Sequence, residues 1–137
     1  MIVAAIRAAL LADAAVAALC DERIYPARLP QAGLLPAVVL HLISGVSDQA
    51  TGGPTGPVER RVQVDCWGER YGDAAGLATA ARRRLDGLRG TFAGETFGRC
   101  RCVHEGDLGG AVPPVTDEGP GLAIAGRRLD FMLWHLE

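Results

Sequence analysis

The segment Val58–Trp67 narrows the fold more than any other stretch of this chain. Val58, Val62, Val64 and Cys66 fall on one side of a two-residue period, with Arg60 the exception, and Glu59, Arg61, Gln63 and Asp65 fall on the other. Side chains alternate across a strand, so this pattern predicts a sheet with one face on a core and the other toward solvent or a partner. The period then changes. Over residues 71–88, Ala74, Leu77, Ala78, Ala81, Leu85 and Leu88 form one helical stripe, with Thr79, Arg82, Arg83 and Asp86 off it. Asp73 or the Tyr71-Gly72 turn is placed to start that helix, and Gly87 or Gly90 to end it.

The flanking segments extend this frame. Ile2, Ile6 and Leu10 recur at four-residue spacing, Val16 and Leu19 continue at three, and alanine fills much of the rest, which predicts one helix over 2–19. Only Arg7 and Asp13 are charged there, so such a helix is deeply buried or lies against a second surface. Pro26, Pro30, Gly33 and Pro36 break the next stretch, leaving room for a very short strand at Ile24-Tyr25. Residues 37–46, AVVLHLISGV, read as a strand covered on both faces. Residues 47–57, SDQATGGPTGP, read as a long loop and a candidate contact element. A third strand is expected over Phe97–Glu105, a Gly/Pro-rich loop over 106–121, and a last strand over Leu122–Leu136, bent at Gly126. The expected fold is α+β: an antiparallel-rich sheet of about four strands with two helices packed on it.

A chain of 137 residues makes one domain, 1–137, and its 49% hydrophobic content argues against disorder. Aromatics are only 5%, so the core is built from small side chains, and assembly with neighbours is expected to supply burial. A net charge of −2 is not that of a free nucleic-acid-binding module, although Arg82, Arg83 and Arg84 run together. The simple reading of that run is a solvated helix face; the sharper one is contact with an acidic partner or passing DNA. The apolar N-terminal stretch is interrupted by Arg7 and Asp13 and has no positive segment before it, so the expectation is a soluble chain without an export signal or membrane span. Cys20, Cys66, Cys100 and Cys102 are then expected as reduced thiols.

No catalytic motif emerges. Cys100, Cys102 and His104 alternate as metal ligands would on one face, yet positions two apart on a strand stand about 6.6 Å apart. Two sulfurs each about 2.3 Å from one zinc are at most about 4.6 Å apart, so one ion bridges them poorly. Cys66 with His41 or His104 is the nearest thing to a nucleophile pair, but no motif flanks it. Gly52-Gly53-Pro54-Thr55-Gly56 lacks the Gly-Lys-Ser/Thr ending of a phosphate-binding loop and precedes a strand. No enzyme activity, metal or cofactor is expected.

Several segments carry a resemblance. They are IRAALLADAAVAAL, then DERIYPARLPQAGLLPAVVLHLISG, then VERRVQVDCWGERYGDAAGLATAARRRLDGL, with RVQVDCWG running into a Tyr-x-x-Ala helix, and the late Arg-Arg-Leu-Asp-Phe strand. Together these resemble the family of phage tail-completion proteins, over roughly residues 2–90. The resemblance implies a tail terminator, a small α+β subunit forming a hexameric ring on the head-proximal end of the tail tube. Such a ring ends tube polymerisation, meets the head-side connector or stopper, and lets DNA pass through its lumen without specific binding. It implies a virion or gene-transfer-agent component assembled in the host cytoplasm, with itself, the major tail tube protein and the connector as partners, no membrane and no catalytic residues.

The candidate assembly contacts are Gly52, Gly53, Pro54, Thr55 and Gly56 in the loop, Glu59, Arg61, Gln63 and Asp65 on the strand, and Arg82 and Arg83 on the helix. A neck or head-closure subunit of the same particle is the alternative within this class. A small thiol enzyme using Cys66 or Cys102 is the alternative outside it.

Overall fold

The computed structural model describes residues 2–30, 34–50, 53–108 and 125–136, with the side chains of 44–50, 53–57 and 136 outside the description. The elements run α1 (Ile2–Leu11), α2 (Ala14–Cys20), β1 (Ile24–Pro26), β2 (Ala37–Ala50), β3 (Gly53–Gly68), α3 (Tyr71–Leu85), β4 (Gly90–Phe92), β5 (Glu95–Phe97), β6 (Arg101–Leu108) and β7 (Ala125–Leu136). The α+β class stands. The expected count does not: among the described residues three helices pack on a seven-stranded mixed sheet of order β1-β2-β3-β7-β5-β4, with β6 also on β7.

The single N-terminal helix is two helices meeting at 90°. The Asp13 carboxylate accepts from the Val16 N–H at 3.1 Å and so caps a new helix. Within α2 the buried stripe is Val16 and Cys20, four residues apart, and Leu19 lies off it at 41% exposure. Ile2, Ile6 and Leu10 bury against the sheet as their spacing requires, and Arg7 Nε donates to the Ile24 carbonyl at 2.8 Å, tying α1 to β1. Among the described residues no single helix is long and apolar enough to cross a membrane.

The stripe Ala74, Leu77, Ala78, Ala81 and Leu85 is buried on α3. It meets Val62, Val64 and Cys66 of β3, and Leu129, Phe131 and Leu133 of β7, in one core with α1 and α2. Each large side chain buried there contributes about 1.5–3 kcal/mol. Ala37, Val38, Val39 and Leu40 of β2 are buried on both faces, as expected, but cover ends at Leu42 and Ile43, which are 47% and 50% exposed.

Residues 47–50 and 53–57 are strand, not loop: past a register shift after Ser47, β2 and β3 pair again at Gln49 opposite Pro54 and Ala50 opposite Gly53. Ladder hydrogen bonds override the low strand propensity of this Gly- and Pro-rich stretch. Among the described residues β7 pairs with β3 as far as Pro57, through Leu136, and the β2–β3 hairpin extends past that pairing.

Phe97–Glu105 is likewise not one strand. Ala93 and Gly94, at φ of 50° and 79°, turn β4 into β5, and β6 begins only at Arg101. Residues 106–108 belong to β6, and 109–121 lie outside the described residues. Gly126 does not bend β7, because pairing with β3 is continuous through Gly126 opposite Trp67. It makes space instead: a Cβ there would lie 2.6 Å from the Trp67 ring and 2.8 Å from Leu108.

Candidate assembly interface

The three helices contribute to one core on one side of the sheet, and among the described residues the other side lies largely open. On β3 that open face carries Glu59, Arg61, Gln63 and Asp65, as the alternation predicts. The ladder brings Trp134, Met132, Asp130 and Arg128 of β7 opposite them in that order. His41 of β2 stands beside Gln63, and Arg101 and His104 of β6 stand beside Met132 and Asp130. The patch is thus wider than β3 alone suggests. Among the described residues only the lower end is covered, where Leu29, Ala37, Val39 and Trp67 form a small second apolar cluster.

The charges on this face are paired across strands. Asp65 is 3% exposed. Its carboxylate accepts from Arg128 Nε at 2.9 Å and Nη2 at 3.2 Å, and from Gln63 Nε2 at 3.0 Å, while His41 Nε2 stands 3.7 Å away. Arg61 Nη2 donates to Asp130 Oδ2 at 2.7 Å, and the buried Oδ1 of Asp130 has no hydrogen-bond partner. Glu59, Asp65 and Asp130 balance Arg61, Arg101 and Arg128, so the face is charged but close to neutral. The surface available to a partner consists of the arginines and of Trp134, which is 43% exposed.

Arg60, the exception in the alternation, points to the helical side. It donates through Nε to His135 Nε2 at 3.0 Å, and His135 Nδ1 stands 3.2 Å from Glu95 Oε2. A polar pair therefore closes the end of the core, which fits a histidine only 4% exposed.

Arg82 and Arg83 are not part of the open face; α3 lies on the opposite side of the sheet. Arg82 donates to Glu105 at 3.0 Å, and Arg127 continues that network to Asp107 at 3.1 Å and to the Tyr71 hydroxyl, pinning α3 to β6. Arg83 is exposed and makes no hydrogen bond or ion pair among the described residues. It borders a groove of about 490 Å³ between α2 and α3, floored by Ala15, Ala18, Gly76 and Ala80. Gly53, Pro54, Thr55 and Gly56 lie in the projecting part of β3, and Gly52 lies outside the described residues.

The cysteines do not form the pairings considered from sequence. Cys66 faces the core while His41 lies on the open face. A bulge between Cys102 and His104 puts Cys102 opposite Phe131 and His104 opposite Asp130, on different sides of the sheet, and Cys100 precedes β6 in the core. Burial pushes the Cys66 thiol well up, the Cys100 thiol up to about 12, and the Cys102 thiol up as well. Among the described residues, no three His, Cys, Asp or Glu side chains are grouped to hold a metal ion.

Residues 4–111 match the family model described as tail completion protein gp17. The chain belongs to this family. It is a structural protein of a phage-type tail and a virion component. No curated protein matches its sequence. Its fold is similar to that of a chain in the virion of a native gene transfer agent particle, with a TM-score of 0.69 at 18% identity, covering 98% of this chain and 94% of that one. The tail-completion family thus includes a chain with one face covered by helices, one open charged face and a projecting hairpin.

Sequence reasoning missed Arg128, Asp130, Met132 and Trp134. The alternation Arg128, Asp130, Met132, Trp134 was available as a signal, but assigning it to the same patch as Asp65 needs the β3–β7 register.

Proposed function

We propose that this tail-completion protein is a terminator subunit. Copies of it form a ring at the head-proximal end of the tail tube, end tube polymerisation and join the tail to the head-side connector. The family match over residues 4–111 carries this reading. The projecting β2–β3 hairpin supports it. A two-stranded ribbon is marginal alone in water, so an arm extending past its sheet is best stabilised by a neighbour. In this reading the arm meets the tube or the connector, and the candidate contacts Gly52, Gly53, Pro54, Thr55 and Gly56 are proposed to serve there. Arg82 and Arg83 lie on the outer, helical surface.

The open face of Glu59, Arg61, Gln63 and Asp65 lines the lumen. Its arginines are neutralised by carboxylates in the same sheet, so passing DNA meets polar groups without a large basic field to hold it.

The test is to add the purified chain to polymerising tail tube protein from the same particle. Capped tubes that stop growing support the reading. Tubes of unchanged length, with the chain bound instead to connector rings, would make it a neck subunit.

A further inference from the structure

Two edges of the sheet are open among the described residues. β1 covers β2 only at Val38, Val39 and Leu40, so the outer side of β2 from His41 to Ala50 has no strand on it. At the other side β6 pairs only with β7. Long open edges are usually blunted by charge, proline or a covering element. Residues 41–50 contain one charged residue, Asp48, and no proline. Exposed apolar side chains sit on both edges: Leu42 and Ile43 on β2, and Val103 on β6.

We propose that these two edges meet between neighbouring copies of this chain, β6 of one pairing with β2 of the next, so that the sheets continue from subunit to subunit around the ring. This rests on the ring reading above and adds how the ring is closed.

Strand direction favours it. β2, β3, β7 and β6 are each antiparallel to the next, so β2 and β6 run in opposite directions. Rotation about a ring axis preserves each strand's direction relative to that axis. The β6 of one copy therefore meets the β2 of the next antiparallel, whatever the number of copies, and every junction repeats the pairing already present inside the subunit.

The stagger of the edges agrees. The middle of β6, between His104 and Glu105, is level with Gln63 and Val64 of β3. The middle of the open edge of β2, between Gly45 and Val46, is level with Arg60 and Glu59, four residues earlier on β3. Four residues are about 13 Å, and four strands are about 19 Å wide. Joining edges displaced by that ratio tilts the strands by roughly 35° to the ring axis, at the edge of the roughly 35–45° that closed barrels require. An unstaggered pair of edges would instead ask for upright strands, which closed barrels do not have.

The offset sets Ser47 opposite Val103 of the neighbour. The experiment uses the full chain with Ser47→Cys and Val103→Cys together, each substitution alone as a control, and native mass spectrometry beside a non-reducing gel. The double variant is expected to give, on oxidation, a ladder of covalent multimers ending at the mass of the ring. Each single variant should give none, and an equal mixture of the two should give dimers. Rings in the native spectrum without a ladder would overturn edge pairing and leave the ring reading in place. Monomers at every concentration would overturn the ring reading and edge pairing with it.

Ser47→Pro gives a second, independent measurement. Val38 and Leu40, opposite Cys66 and Val64, bond outward to β1; the register shift between Leu42 and Ser44 moves that alternation by one residue, so Ser47, opposite Val58, points its N–H outward, away from β3. This variant is expected to keep its circular dichroism and lose the ring; intact rings would overturn the proposal.

Discussion

Arg128 holds Asp65 through two nitrogens, at 2.9 and 3.2 Å, across the β3–β7 ladder in which the two are direct partners. Arg128 keeps a side-chain exposure of 40% while that of Asp65 is 4%, so the pair is unequal. Arg128→Ala strands a buried carboxylate with only Gln63 and His41 beside it. The expected loss is about 2 kcal/mol, below that of a fully buried pair because solvent reaches the arginine. Removing Asp65 as well as Arg128 should recover part of that loss, because the stranded charge goes too. Urea unfolding of the two single variants and the double variant measures this; strict additivity would contradict it.

The thiols provide a second expectation. With the Cys100 thiol pushed up to about 12 by burial, about one molecule in ten thousand carries its thiolate at pH 8. Alkylation of the native protein should therefore be slow for Cys20, Cys66 and Cys100, somewhat faster at half-buried Cys102, and rapid for all four in denaturant. The shift also has a sign for stability. A folded-state value above the ordinary 9.0 means that stability is complete below pH 9 and falls as pH rises from there through about 12. A thermal melt series from pH 7 to 11 checks the direction. Fast labelling of Cys66 or Cys102 in the native state would revive the thiol-enzyme reading.

Asp13 is the cap that separates α1 from α2. Asp13→Ala should cost about 1 kcal/mol by removing the acceptor for the Val16 N–H. Asp13→Asn or Asp13→Ser should restore most of it. Denaturation midpoints of the three variants decide whether the cap or the charge matters.

Much of the architecture was legible because it rests on periodicity. The Ala74–Leu85 stripe and the Val58–Cys66 alternation are buried as read. What was not legible depends on partners distant in sequence. Residues 47–50 and 53–57 have the composition of a loop and are strand through the β2–β3 ladder. The β4–β5 turn uses Ala93-Gly94, where the usual signal is an asparagine or aspartate before glycine. The break at Asp13 was hidden by alanines that suit one helix as well as two. On the candidate interface, Glu59, Arg61, Gln63 and Asp65 were placed on one face correctly, but their pairing with Asp130 and Arg128 follows only from register.

Gly126 shows the same limit at one residue. Its expected role was a bend, yet it leaves room for the Trp67 ring. Gly126→Ala should lower stability by about 1–3 kcal/mol, since the ring and Leu108 must both move. Trp67 fluorescence should shift with it. A neutral substitution would contradict the close approach.

The central claim concerns where the chain sits in the particle, and cryo-electron microscopy of intact particles tests it most directly. A ring of this chain is expected between the last tube layer and the connector, with the β2–β3 arms reaching tube or connector and the Asp65–Arg128 face toward the lumen. Density for the chain within the connector stack, or as isolated subunits on the outside of the tail, would contradict it.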